Sequence, residues 1–200
     1  MTARKLDDID RLYEYGIYMP TRTIFMESLS EDYEGNESGV NYAMAARIAK
    51  SLHIMDRSAP NLDKPITIEM NNCGGDYYHG MAIFDAIREC KNRVTIKGIG
   101  YVMSMGSIIL QAADERVLTP NARLMIHYGY AGVHDHPKIV KKWSDEYEKI
   151  NDWMELLYLE KINERHPGFT LEQVKGLCNF DTILSAREAV EFGLADRIEF

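Results

Sequence analysis

What most constrains this chain is a change of periodicity that occurs more than once. Residues 65–72, PITIEMNN, alternate apolar and polar side chains with the period of two that a half-buried strand requires. Gly74 and Gly75 break that run. Residues 77–90, YYHGMAIFDAIREC, then carry Ile83 and Ile87 on one helical stripe. A second strand pattern, VTIKGIGYV at 94–102, leads into a turn, and SMGSIILQAAD opens a small-residue helix near Ser104. When helices separate successive strands, each helix returns the chain across the sheet. The strands therefore pair mostly in parallel and the fold class is α/β.

The rest of the chain fits the same plan. Residues 1–19 form a polar leader dotted with Tyr13, Tyr15 and Tyr18, and Pro20 blocks a helix from continuing through it. RTIFMES at 22–28 reads as a first strand, and SEDYEGNESG at 30–39 as a loop. Apolar residues recur at helical spacing from Val40 to Met55, and RSAPNLDKP is a second loop. ERVLTPNARLMIHYGY holds two short strands around a Pro120–Asn121 turn. Residues 137–164 form a long amphipathic helix. FTLEQVKGL is a short helix capped by Thr170, and LSAREAVEFGLAD is a last helix. In that last helix Ser185 and Glu188 make a capping box and Gly193 is the terminator. No internal repeat is present, and we expect one domain spanning 1–200.

Charge and composition exclude several functions. The net charge of −8 disfavours nucleic acid and anionic membranes as partners. No apolar run is long enough to cross a bilayer, and the charged N-terminus lacks the apolar region of a secretory signal, so a cytoplasmic protein is expected. Cys73, Cys90 and Cys178 are far apart and make neither a disulfide framework nor a zinc pattern. His134 and His136 read as part of a polar turn, so we expect no metal there.

Three places carry chemistry. A serine at the mouth of a helix, Ser104, lies beside unpaired backbone N–H groups that can receive an oxyanion, although capping the helix is the plainer role for it. The paired glycines in NNCGGD let backbone approach a ligand closely, or simply make a turn. His127 ends an apolar strand and is of the type used as a general base near neutral pH. Each follows a strand, and parallel strands bring their carboxyl ends to one rim.

The run MSMGSIILQAADERVLTPNARLMIHYG, with NNCGG before it and LSAREAVEFGLAD after it, resembles the proteolytic subunit of the Clp protease. The resemblance covers roughly residues 20–198. It implies a crotonase-like spiral of ββα units with a protruding handle helix at 137–164. It also implies a serine endopeptidase with Ser104 as nucleophile, His127 as general base, and the backbone N–H groups of Gly75 and Met105 as oxyanion donors. The implied assembly is a self-associated pair of stacked heptameric rings. The resemblance further implies an AAA+ unfoldase that feeds it unfolded polypeptide, and bond cleavage without a metal or cofactor.

The chain departs from the family at the third triad member. Aligned without gaps, the family's triad aspartate position falls on Leu177, and Asp181 matches a later aspartate that is not the catalytic one. Leucine cannot accept an imidazole N–H. Asn179 and Asp181 are the alternatives for that role, and a catalytically impaired subunit that assembles with an active partner is the alternative function. A crotonase-type acyl-CoA enzyme shares the broad fold, but it does not call for Ser104 and His127 at this spacing. Tyr128–Gly129 stands where the family has Gln-Pro, and Cys73 where it has proline before the glycine pair.

Overall fold

The computed structural model describes residues 7–27, 39–58, 64–129 and 132–200. The expected loops at 30–39 and 57–65 therefore lie largely outside the described residues, as do the first six residues of the leader. Among the described residues the elements run α1 (Asp8–Tyr15), β1 (Ile17–Tyr18), β2 (Thr23–Met26), α2 (Tyr42–Ser58), β3 (Ile66–Asn72), α3 (Tyr77–Arg88), β4 (Val94–Met103), α4 (Met105–Leu110), β5 (Glu115–Leu118), β6 (Arg123–Ile126), α5 (Pro137–Asn163), α6 (Leu171–Cys178), β7 (Thr182–Ser185), α7 (Ala186–Phe192) and β8 (Arg197–Ile198).

The sheet is mixed but mostly parallel. β2, β3, β4, β5 and β8 lie side by side in that order with parallel pairing, and β1 caps one edge antiparallel to β2. β4 is the branch point. Thr95–Gly98 of β4 pair with β5, whereas Tyr101–Met103 pair with β6. A bulge makes this possible, because the β3–β4 register shifts between Met70 and Asn72. Gly100, at φ +66°, sits on the bulge, and Asn71 Oδ1 accepts the Tyr101 N–H at 2.9 Å. The bend aims the end of β4, and with it Ser104, away from the sheet it started in.

The core follows from the alternation. Ile66, Ile68 and Met70 of β3 and Val94, Ile96 and Val102 of β4 are fully buried, and Ile48, Leu52, Met55, Ile83 and Ile87 of α2 and α3 belong to the same cluster. The alternate residues Thr67, Glu69, Thr95 and Lys97 are only half-buried. The long helix is α5. Its apolar stripe buries Met154, Tyr158 and Ile162, while Trp143 and Leu156 stay exposed.

Three features depart from the sequence reading. The leader, for which the sequence reading named no element, holds a helix: an Asp7–Asp10 capping box opens α1 and Gly16, at φ +62°, closes it. The strands around Pro120–Asn121 do not pair with each other; each pairs with a different half of β4. The last helix is flanked by two short strands that the sequence reading did not name, β7 overlapping its first two residues and β8 following it, and these pair with β6 and β5.

Candidate active site

Ser104 stands between β4 and α4 with φ +52° and ψ −121°, a conformation that costs a non-glycine residue about 1–3 kcal/mol. Neighbouring bonds fix it there. Its N–H donates to Met125 O at 2.8 Å, and its carbonyl accepts from the Ser107 N–H at 2.9 Å and the Ser107 hydroxyl at 2.7 Å. Ser107 in turn meets the buried Tyr158 hydroxyl of α5 at 2.7 Å. The strain points the Ser104 side chain out of the turn, as in a nucleophile elbow.

His127 follows β6, the strand paired with the end of β4, which brings it beside Ser104. Its Nε2 lies 2.9 Å from Ser104 Oγ and its Nδ1 lies 2.8 Å from Asp181 Oδ1. Asp181 thus occupies the position that the resemblance left open. Asn179 instead ends α6, where its N–H donates to Lys175 O. Leu177 faces the hydrophobic core and packs against it. Two hydrogen bonds account for this, one of them from a distant segment. Thr182 Oγ1 donates to Leu177 O at 2.7 Å and Tyr128 N–H to Cys178 O at 2.8 Å, tying the end of α6 to the start of β7 with Asp181 in the short connection between them. Asp181 is open to water: its side chain is 67% exposed and that of His127 15%.

The glycine turn lies opposite. Val40 N–H donates to Gly74 O at 2.6 Å, and Asp76 N–H donates to Val40 O at 2.8 Å. Residues 74 and 76 are thereby bonded to Val40 from both sides of Gly75. Ser104 packs close against the turn: a Cβ on Gly74 would stand 2.6 Å from the Ser104 Cβ. Gly74 and Gly75 have φ of +110° and +141°, so both conformation and close approach call for glycine. Asn72, fully buried, sets the turn by accepting the Gly74 N–H at 2.9 Å. Met105 is the first residue of α4, so its N–H has no carbonyl a turn back to bond. Gly75, Ser104, Met105 and His127 all line one cleft of about 480 Å³. Ile108, Ile150, Met154, Tyr77 and Tyr147 supply its apolar lining.

The sequence reading did not single out Asn72, Ser107, Tyr158 or Val40. For Ser107 a signal existed, since it stands one helical turn after Ser104. Tyr158 and Val40 had none, because they come from distant segments. Among the described residues no cluster of His, Cys, Asp and Glu is arranged to hold a metal ion, and no helix is long and apolar enough to cross a membrane. His136 caps α5, its Nδ1 accepting the Lys138 N–H at 3.3 Å.

Comparison with known proteins agrees with this architecture. A sequence model of the Clp protease family matches residues 25–200. The ATP-dependent Clp protease proteolytic subunit of Deinococcus radiodurans is 32% identical over 161 residues, which cover 80% of this chain and 76% of that protein. An Asn-to-Asp variant of ClpP1 from Listeria monocytogenes superposes with a TM-score of 0.74 at 26% identity, over 90% of this chain and 92% of the other. The ββα spiral and the handle helix α5 are features of that fold. A sequence match of that length, met by the same architecture in space, makes this chain a member of the Clp protease family.

Proposed function

We propose that the chain is a serine endopeptidase in which Ser104 is the nucleophile, His127 the general base and Asp181 the residue that orients His127. The observation that carries this reading is the unbroken line of contacts from Ser104 Oγ through both imidazole nitrogens to Asp181 Oδ1, at 2.9 and 2.8 Å. Ser104 Oγ attacks a peptide carbonyl as His127 Nε2 takes its proton. The N–H groups of Gly75 and Met105 hold the oxyanion, and His127 then gives the proton to the departing amine. Water attacks the acyl-enzyme with His127 again as base, releasing the acid and restoring Ser104. No step needs a metal or a cofactor.

The substrates are unfolded polypeptides. The Deinococcus relative is called ATP-dependent, which supports an AAA+ unfoldase as the partner that feeds them. Self-assembly into paired heptameric rings in the cytoplasm completes the proposal, with α5 meeting its counterpart in the facing ring. The exposed Trp143 and Leu156 suit such a contact.

One observation favours a second reading. A triad carboxylate that is two-thirds exposed holds its histidine less firmly than a buried one, as expected of an impaired subunit that assembles with an active partner. Fluorophosphonate labelling, read by intact mass beside a Ser104→Ala control, separates the two. A single adduct missing from the control supports the peptidase. No adduct on the folded, assembled protein overturns it in favour of the silent subunit.

A further inference from the structure

Outside the triad, a buried carboxylate sits on the handle helix. Glu155 is 3% exposed. Its Oε1 accepts a short hydrogen bond from the Tyr128 hydroxyl. Its Oε2 has no hydrogen-bond partner among the described residues, and Lys175 Nζ stands 3.7 Å away. A buried carboxylate with one oxygen not hydrogen-bonded and only a long ion pair to offset it is costly to keep, so its place asks for a reason.

The reason lies in what its two partners carry. Tyr128 follows His127 directly. At Tyr128 the backbone N–H bonds Cys178 O and the side chain reaches Glu155, so the residue is held on the side away from the cleft. Neighbouring side chains of an extended segment point in opposite directions. Pinning residue 128 inward therefore turns His127 and Gly129 toward the cleft, and both line it. Lys175 lies on the last turns of α6, just ahead of the loop that ends in Asp181. One carboxylate thus reaches both segments that carry the partners of the imidazole contact. Burial, and then the bond to Glu155, push the Tyr128 hydroxyl far above its ordinary range, so it remains the donor at every working pH.

We propose that Glu155 is a positioning residue: from α5 it holds Tyr128 and Lys175, and so sets the His127 ring between Ser104 and Asp181. This rests on the peptidase reading of that site. The test compares wild type with Glu155→Gln, Glu155→Leu, Tyr128→Phe and the double variant Glu155→Leu/Tyr128→Phe. Three rates are read: fluorophosphonate labelling of Ser104, its pH profile, and diethyl pyrocarbonate modification of His127 located by peptide mass.

Glu155→Leu and Tyr128→Phe are expected to slow labelling about 10- to 100-fold, the worth of one buried charged hydrogen bond. The double variant should be no slower than Glu155→Leu, because the two residues act as a unit. Glu155→Gln, which still accepts from Tyr128, should stay within about threefold of wild type. The acid limb of the profile should move to lower pH in the slow variants, since a looser carboxylate stabilises the imidazolium less. A purely structural loss scales the rate and leaves the limb in place. That result, or wild-type rates in Glu155→Leu and Tyr128→Phe, overturns the proposal. If Glu155→Leu does not fold, Tyr128→Phe decides by the same two outcomes. If wild type is not labelled at all, the peptidase reading fails, and His127 modification still decides this one: faster in Tyr128→Phe supports it, unchanged overturns it.

Discussion

Replacing Asp181 with asparagine removes the charge facing His127 while keeping the side chain's size. During attack the imidazole becomes a cation 2.8 Å from that carboxylate, and two unit charges at this distance interact by about 6 kcal/mol at the dielectric of a protein surface and about 1.5 in bulk water. The imidazole side of the pair is largely covered, at 15% exposure, and the carboxylate side is open, at 67%. The pair falls between the two limits, at about 3 kcal/mol, so Asp181→Asn should lower kcat/KM by about 10²-fold. A buried triad aspartate is worth about 10⁴-fold, and the difference is the price of facing water. The assay is hydrolysis of a fluorogenic peptide, with fluorophosphonate labelling of Ser104 as the check where turnover is slow. Added salt should slow the wild type more than Asp181→Asn, since an exposed pair is screened. A loss under about twofold would refute the orienting role of Asp181, and one near 10⁴-fold would refute the argument from exposure.

Other consequences follow from the same geometry. Leu177→Asp should not raise the labelling rate and should lower stability by about 1–3 kcal/mol, because Leu177 packs on the core; full activity in Leu177→Asp/Asp181→Asn would show that the loop can adopt the family arrangement. Ser104→Gly removes the nucleophile and relieves a φ of +52°, so it should abolish hydrolysis while raising the chemical-denaturation midpoint by about 1 kcal/mol of stability. Arg116, 5% exposed, binds Asp196, Gln111 Oε1 and Gly193 O, and Arg116→Met should cost about 3 kcal/mol at neutral pH. Burial pushes the Asp196 carboxyl up, but the hydrogen bonds from Arg116 and its charge outweigh that and hold it below its ordinary value of 3.8. This stability is therefore complete above that value and lost as pH falls through the lower folded one, so the gap between wild type and Arg116→Met should shrink in denaturation curves taken below about pH 4.

The parts of the fold written locally were legible. Ser185 with Glu188 and Gly193, and Thr170 ahead of α6, are capping signals whose partners lie within one turn, and the structure places helix ends at each. The alternation in residues 65–72 likewise gives β3 with its buried face as expected. β7 and β8 were not legible. Runs of four and two residues carry too little periodicity, and they are strands only because β6 and β5 offer them unpaired backbone. The same distinction holds at the site. Ser104, His127, Gly75 and Met105 were singled out from motifs, because each occupies a turn that the adjacent residues define.

By itself, then, the sequence determined the alternation that makes a parallel α/β sheet, a glycine-pair turn and a serine turn at strand ends, and the order in which they meet one rim. It left the partner of His127 divided between Asn179 and Asp181, with Leu177 at the position where the family has aspartate. Only the tertiary structure decided that contact. The loop 177–182 is closed by Thr182 and by Tyr128, one of them reached from another strand, and the choice of acceptor is a matter of which side chain ends within 3 Å of a nitrogen. Hydrogen bonds that short depend on how β6, α5 and α6 pack together, and packing between segments far apart in the chain leaves no local pattern to read.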